Sequence, residues 1–239
     1  MLELIHLTKI FNSLKAVDDV SLRIDVGDFY GFLGLNGAGK TTTIKMLAGL
    51  YSPTGGNISI NGTDILKHPV EAKKMIGYVP DQPFLYDKLT GKEFLYFCGG
   101  LYNISPALLK VKIDGLVEQL KIGDWINKRT EQYSQGMKQR VSIASALLHD
   151  PKLILVDEPM IGLDPLSAQY VKTLLKQKAD EGCAVFMSTH SLNVAEEVCS
   201  KIAIIKEGKI IFDGNKESIE SFRMGQKQNL ESFFLELNK

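Results

Sequence analysis

Hydrophobic and polar residues alternate in the first part of the chain. Between Val20 and Val26 every second residue is apolar and the residues between are polar. A period of two predicts a strand with one buried face, as in an antiparallel sheet. Another strand is expected from Leu2, and a third should end at Asn61-Gly62, a pair that favours a tight turn. We therefore expect an N-terminal antiparallel β-subdomain.

Three later apolar runs are continuous and do not alternate. They cover residues 29–33, 153–156 and 184–187. Such runs are typical of strands that are buried on both faces of a parallel sheet. Helical patterns lie between the runs, and strands that alternate with helices predict an α/β fold with a mostly parallel sheet.

The stretch from about 88 to 150 predicts an inserted α-helical subdomain. Ser105-Pro106 is a favourable helix start, because proline suits the first helical position. Ser134 is expected to cap a second helix, which should end at Asp150-Pro151. Weak helical patterns follow near the C-terminus. We therefore divide the chain into a domain of residues 1–215 and a helical tail of residues 216–239, with an apolar pattern at Leu230, Phe233, Phe234 and Leu237.

The composition argues against several classes of protein. Lys and Arg total 28, as do Asp and Glu, so the formal charge is zero. A general nucleic-acid binder usually carries a basic excess, and we expect no nucleic-acid partner. No apolar run approaches the ~18 residues that span a bilayer, and the first ten residues do not resemble a secretory signal. Three cysteines without zinc-site spacing favour a reducing cytosol.

Residues 34–41 match the P-loop pattern G-x-x-x-x-G-K-[ST], between an apolar strand and a helical stretch from Lys40 to Ala48. Glycines let backbone N–H groups turn toward phosphate oxygens, and the start of the following helix favours an anion. The lysine can reach the β- and γ-phosphates, and the first threonine can bind Mg²⁺ through its hydroxyl. The expected nucleotide contacts are Gly34, Leu35, Asn36, Gly37, Ala38, Gly39, Lys40, Thr41 and Thr42.

Two carboxylates, Asp157 and Glu158, directly follow the apolar run at 153–156. Ligands of open α/β sheets bind beyond the carboxyl ends of the strands. Asp157 is therefore expected to hold Mg²⁺, directly or through water, and Glu158 to polarise the attacking water. The Asn-Lys-x-Asp element of GTPases is incomplete at Asn127-Lys-Arg-Thr130, so ATP is the expected nucleotide.

A further element lies where a helix is expected to begin after Ser134. Residues 133–137 read Tyr-Ser-Gln-Gly-Met. Ser134 suits the N-cap, a contribution of about 1 kcal/mol, but Gly136 in the first turn lowers helix stability. A glycine is explained there if something must approach the backbone closely, and a γ-phosphate at a helix N-terminus fits that requirement.

These elements together resemble the ATP-binding cassette (ABC) ATPases, in particular the nucleotide-binding subunits of bacterial ABC transporters. The resemblance covers about residues 1–215 and rests on five motifs in the family's order. They are the P-loop, the signature segment (residues 133–137), the Asp157-Glu158 pair, the D-loop-like Gly162-Leu-Asp164, and the switch-histidine motif Ser188-Thr-His190. The resemblance implies a P-loop NTPase core that hydrolyses ATP with Mg²⁺.

The resemblance also implies a dimer, of two identical chains or of homologues. In the family two cassettes pack head to tail, and each ATP lies between the P-loop of one and the signature helix of the other. Asp164 would help to couple the two sites, and His190 would contact the γ-phosphate and sense its loss. Phe11 matches the aromatic residue that stacks on adenine, although a core position is the alternative. The signature residues that would serve the partner's nucleotide are Ser134, Gln135 and Gly136.

The chain departs from the family pattern at three places. Gln135 and Met137 replace a glycine and the final glutamine of the Leu-Ser-Gly-Gly-Gln signature. The position of the family's glutamine after the entry strand falls on Asp81, which could meet Mg²⁺ or its water through a shorter, charged side chain. Leu35 stands where the P-loop often has proline. The expected metal ligands are thus Thr41, Asp157 and Asp81.

The resemblance further implies a separate integral-membrane permease, with the cassette at the cytoplasmic face of the membrane and export favoured over import. The aromatic stretch from Phe84 to Phe97 could be the docking surface or the core of the insertion, with Phe84 and Tyr86 the expected exposed pair. A soluble ABC ATPase, such as one acting in iron–sulfur assembly, is the alternative. A module without catalysis is disfavoured, because Lys40, Glu158 and His190 are all present.

Overall fold

The computed structural model describes residues 1–215, 217 and 218. The predicted C-terminal tail, with its pattern at Leu230, Phe233, Phe234 and Leu237, lies outside the described residues apart from positions 217 and 218. Within the described part, no helix has both the length and the apolar character needed to cross a membrane.

Helices and strands follow one another along the whole described chain. In order they are β1 (Leu2–Phe11), β2 (Leu14–Ile24), β3 (Phe29–Leu33), α1 (Lys40–Leu47), β4 (Gly55–Ile60), β5 (Thr63–Asp64), α2 (Pro69–Lys74), β6 (Ile76–Val79), α3 (Gly91–Leu101), α4 (Pro106–Gln119), a 3₁₀ turn (Thr130–Gln132), α5 (Gln135–Leu147), β7 (Leu153–Asp157), α6 (Pro165–Asp180), β8 (Ala184–Thr189), α7 (Leu192–Val198), β9 (Lys201–Lys206) and β10 (Lys209–Asn215).

The first sheet is the predicted antiparallel one, in the order β2-β1-β4-β5. The second sheet has the order β10-β9-β3-β8-β7-β6, and all its neighbouring strands are parallel except the β9-β10 pair at one edge. The three continuous apolar runs form its central strands β3, β8 and β7, which are buried along their whole length. The predicted fold class is therefore confirmed.

Each central strand contributes to two cores because its side chains alternate between the faces of the sheet. Tyr30 and Phe32 pack toward the antiparallel sheet and α1, in a core that includes Ile44. Phe29 and Leu33 join the other core, which the helices of the insertion complete. The carboxyl ends of the parallel strands are thereby held between two packed layers.

The helical insertion contains α3, α4 and α5. The Thr90 side chain accepts a hydrogen bond from the Glu93 backbone N–H, and the Glu93 carboxylate accepts one from the Thr90 N–H, so that α3 starts in a capping box. The predicted helix starts at Ser105-Pro106 and Ser134 are confirmed. α5 ends at Leu147, three residues before the expected end at Asp150.

The strand predicted around Val20–Val26 has different limits in the structure. It stops at Ile24, because the Asp28 carboxylate accepts the Asp25 backbone N–H at 2.8 Å and the chain turns at Gly27, where φ is 81°. Val26 is consequently exposed. The strand begins as early as Leu14, and irregular pairing with β1 interrupts the period of two in its first half.

Candidate functional site

The P-loop (residues 34–41) connects β3 to α1 and lies tightly against two other strands. A Cβ at Gly39, whose φ is 110°, would lie 2.4 Å from the Ala16 backbone oxygen, and one at Gly34 would lie 2.5 Å from that of Ile205. Only glycine fits where another backbone approaches so closely. These two glycines are therefore required by packing as well as by the phosphate-binding role that the sequence predicts.

The Lys40 side chain is buried at the first turn of α1. Its Nζ donates to the Gly34 oxygen at 2.7 Å and to the Leu35 oxygen at 3.2 Å. Nζ also lies 3.6 Å from Glu158 Oε1. The ammonium group is thus held between the loop carbonyls and a carboxylate, and its charge is directed to the carboxyl end of the sheet.

A cleft of about 720 Å³ opens over the P-loop. It brings together residues from distant parts of the sequence, and the predicted site residues that line it are Phe11, Leu35, Asn36, Gly37, Gly39, Lys40, Thr41, Thr42, Asp81, Glu158 and His190. Gln82, one residue further on, is exposed and does not line the cleft. Asp81, which stands at the position of the family's glutamine, therefore lines the cleft, and its contact with a metal stays a prediction.

One wall of the cleft was not predicted. Leu14 and Ala16 of β2 line it beside Phe11, and Glu207-Gly208 of the β9-β10 turn completes it. The polar pattern of the β1-β2 turn gave no signal for Ala16, although an exposed apolar Leu14 so close to Phe11 could have suggested a ligand surface.

Phe11 is 39% exposed and is not part of the core. Tyr51 packs edge-on against it, with the ring centroids 5.6 Å apart, and Lys9 Nζ lies 4.9 Å from the centre of the Phe11 ring. The core alternative for this residue is therefore wrong, while its stacking on adenine stays a prediction. Tyr51 is a second aromatic residue in contact with Phe11, and no sequence pattern had indicated it.

Asp157 ends β7 and is fully buried. The Ser188 hydroxyl donates to its Oδ1, whereas Oδ2 has no hydrogen-bond partner among the described residues. Burial raises the pKa of Asp157; the hydroxyls of Ser188 and Thr41 oppose the rise, and the carboxylates of Asp81 and Glu158 add to it. A buried, unpartnered carboxylate oxygen beside a threonine hydroxyl suits a cation with oxygen ligands, so the residues present fit Mg²⁺.

Glu158 lies between two nitrogen-bearing side chains. His190 Nδ1 is 3.0 Å from Glu158 Oε2, and Lys40 Nζ is on the side of Oε1. His190 comes directly before Ser191 at the start of α7, and its side chain is exposed to the cleft. The arrangement holds a carboxylate at the cleft floor, with a histidine in position to orient it.

The signature segment lies elsewhere on the chain. Ser134 caps α5 by accepting the Met137 backbone N–H at 3.3 Å, and Asp164 caps α6 by accepting that of Ser167 at 2.9 Å. Hydrogen bonds from Ser167 lower the pKa of Asp164. In the described structure none of the four predicted residues of this group lines the cleft; they are Ser134, Gln135, Gly136 and Asp164.

The presence of glycine at position 136 is explained by a contact that the sequence did not reveal. A Cβ at this position would lie 2.7 Å from the Gly162 backbone oxygen. A glycine is needed at this position because the backbone of the D-loop segment of the same chain approaches it closely. The start of α5 is thus packed against the D-loop segment that leads into α6. We call Ser134, Gln135, Gly136 and Asp164 the signature surface; none of them lines the P-loop cleft.

Comparison with known proteins agrees with this architecture. A family model described as "ABC transporter" matches residues 17–161. The chain is 39% identical over 207 residues to the ABC transporter ATP-binding protein NatA of Bacillus subtilis (strain 168), covering 86% of this chain and 84% of NatA. It is 36% identical to the SkfA peptide export ATP-binding protein SkfE of the same organism, covering 89% of this chain and 88% of SkfE.

The fold is also that of solved ATP-binding cassettes. One, described as a dimer in a post-hydrolysis state bound to ADP and Pi, superposes with a TM-score of 0.83 at 26% identity, covering 90% of this chain and 98% of the other. The family model spans more than half of the chain, and the relatives match most of its length. The chain therefore belongs to the ABC transporter family, as an ATP-hydrolysing, nucleotide-binding subunit.

Proposed function

We propose that two cassettes, two copies of this chain or one copy and a homologue, pack head to tail around ATP and Mg²⁺, and that hydrolysis powers a separate membrane permease. One observation carries the proposal. None of Ser134, Gln135, Gly136 and Asp164 lines the P-loop cleft of the described chain, so the residues predicted to touch one nucleotide do not meet in a single copy. The dimeric state of the solved relative supports the same arrangement.

Different residues of the cleft bind different parts of ATP. The backbone of the P-loop and Lys40 take the phosphates, because the loop N–H groups and the ammonium group supply donors and positive charge. Phe11 stacks on the base, a contact that contributes on the order of 1 kcal/mol and distinguishes bases poorly. Lys40 Nζ, now shared by Gly34, Leu35 and Glu158, turns to the phosphates when they enter.

Thr41, Asp157 and Asp81 hold the metal, directly or through water. Bound Mg²⁺ supplies neutralisation of the charge that develops on the phosphate oxygens. Glu158 accepts the proton of the attacking water, and His190 keeps the Glu158 carboxylate oriented through the contact at Oε2 while facing the γ-phosphate. Ser134, Gln135 and Gly136 of the partner close over that phosphate, and Asp164 links the two sites.

Substituting Ser134 with arginine should block closure of the dimer and leave nucleotide binding by the monomer largely intact. The bulky cation occupies the start of α5, which in our proposal meets the other chain's nucleotide, whereas the P-loop cleft of its own chain is untouched. We expect wild-type nucleotide affinity by equilibrium titration and a loss of ATP-dependent dimers by size-exclusion chromatography with light scattering.

Ser105→Arg is the matched control, because Ser105 is also the N-cap residue of an insertion helix, α4, outside the signature surface. It should dimerise normally. If Ser134→Arg instead loses monomer binding, the signature helix serves its own chain's nucleotide and the head-to-tail proposal is wrong.

The permease is proposed to dock on an exposed aromatic patch, Phe84, Tyr86 and Phe97. These residues are 78%, 48% and 44% exposed, and Tyr86 makes edge-on contacts with both of the others. Leu85 and Phe94 of the same stretch are buried in the helical core. Part of the stretch therefore belongs to the core of the insertion, and its exposed members suit a partner surface. In this proposal the cassette lies at the cytoplasmic face of the membrane.

Phe84→Asp should abolish membrane co-purification without changing the ATPase activity of the isolated cassette. A charge at the centre of an apolar contact is left desolvated and unpaired in the complex, while the nucleotide cleft is separate from this patch. Purification from membranes, with mass identification of the bound polypeptide, measures the loss. Val111→Asp, at an apolar position of α4 that is 68% exposed, is the control and should keep the partner.

A bound polypeptide without membrane spans, retained by wild type and lost in Phe84→Asp, would contradict the transport proposal. Export is the proposed direction, and the similarity to a peptide-export ATP-binding protein supports it.

A further inference from the structure

Ser188 makes buried contacts that have no role in the catalysis and nucleotide binding described above. It lies in the central strand β8, fully buried, directly opposite Asp157 in the parallel pairing with β7. Its Oγ donates to Asp157 Oδ1. The Glu158 backbone N–H in turn donates to Ser188 Oγ at 3.1 Å and to the Ser188 backbone oxygen at 3.3 Å.

We infer that Ser188 is a positioning residue that sets the Asp157 carboxylate for the metal and anchors Glu158 beside it, through one buried hydroxyl. The inference rests on the proposed role of Asp157 in Mg²⁺ binding. A serine hydroxyl can donate only one hydrogen bond, and the Ser188 hydroxyl donates it to Asp157 Oδ1. The other oxygen, Oδ2, is left buried and without a hydrogen-bond partner in the described structure.

A buried carboxylate oxygen without a hydrogen-bond partner lowers the stability of the folded protein unless it gains a ligand. The Ser188 hydrogen bond prevents the carboxylate from turning, so Oδ2 stays available to a cation. Partners of this kind orient metal ligands, and their loss typically reduces metal affinity by about 10–100-fold.

The second contact of Ser188 acts on Glu158. This residue has φ of 50°, in the left-handed region that a side chain other than glycine seldom adopts. Such a conformation persists where surrounding contacts determine it. The bond from its N–H to the Ser188 hydroxyl is one such contact, and it places the Glu158 side chain between Lys40 and His190.

The test compares nucleotide affinity with Mg²⁺ and with EDTA, using a fluorescent, slowly hydrolysed ATP analogue and the full chain. In Ser188→Ala we expect the Mg²⁺-dependent gain in affinity to fall by about tenfold or more, with the metal-free affinity unchanged. Ser188→Thr keeps the hydroxyl and should restore the gain to within a few-fold of wild type. Ser145→Ala, which removes a helix hydroxyl bonded to the Ser142 oxygen, is the control and should behave as wild type.

Three results would overturn the inference: an undiminished Mg²⁺-dependent gain in Ser188→Ala, an equal loss in EDTA, or no rescue by Ser188→Thr. If the wild-type protein shows no Mg²⁺-dependent gain in affinity, the proposed metal site is wrong, and the role of Ser188 that rests on it is wrong as well. Thermal unfolding establishes that the variants are folded. Should Ser188→Ala not fold, Ser188→Cys keeps the volume with a weaker donor and must show a smaller loss in the same direction.

Discussion

Glu158→Gln is expected to bind ATP and to hydrolyse it about 10²–10⁴-fold more slowly than wild type, the range for removing a general base. The amide keeps the size of the side chain but cannot accept the proton of the attacking water. The phosphates are held by other groups, namely the P-loop backbone and Lys40, so binding should persist. Steady-state phosphate release and equilibrium nucleotide titration measure the two effects separately.

Glu197→Gln is the matched control for this substitution. Glu197 is an exposed glutamate of α7 whose carboxylate pairs with Lys172 at 2.7 Å, outside the cleft. Such a surface pair contributes little to stability, and turnover should stay normal. Near-normal turnover in Glu158→Gln would remove this residue from the catalytic role and leave His190 as the base to test next.

Lys40→Ala should lower ATP turnover by about 10²–10³-fold, as expected for removal of a donor that stabilises charge in the transition state. The ammonium group is buried 3.6 Å from Glu158 Oε1 and donates hydrogen bonds to the P-loop carbonyls. Its loss removes the phosphate contact and leaves the Glu158 carboxylate without its buried neighbour. Phosphate release and the affinity for ATP are both expected to fall.

Lys45→Ala separates this effect from a general loss of positive charge on α1. Lys45 is in the same helix, but its Nζ lies over the Tyr51 ring, 5.6 Å from the centroid, and it does not line the cleft. The ATP turnover of the Lys45→Ala variant should remain close to that of the wild-type protein. If Lys40→Ala hydrolyses ATP as Lys45→Ala does, the P-loop assignment is wrong.

The sequence predicted most accurately those features that depend on local pattern. The continuous apolar runs became β3, β7 and β8, and the P-loop lies between β3 and α1 as expected. These elements are predictable because burial on both faces leaves little choice of residue type in such strands. Phe84 and Tyr86 were also correctly predicted to be exposed.

Features that depend on distant contacts were missed. The early start of β2 at Leu14 follows from its irregular pairing with β1, which breaks the period of two. Gly136 accommodates the backbone oxygen of Gly162, a residue that is distant from it in the sequence. Ser188 meets Asp157 only because β7 and β8 pair in one particular register. No local pattern contains that information.

In the proposed dimer, two cassettes hold ATP between the P-loop of one and the signature surface of the other. Small-angle scattering of Glu158→Gln with Mg-ATP measures whether this dimer forms, because slow hydrolysis should accumulate the closed state. We predict a particle with twice the mass of the chain, which returns to a single chain when Ser134→Arg is added. A single-chain particle in Glu158→Gln, with ATP bound and a homologous cassette also supplied, would contradict the claim.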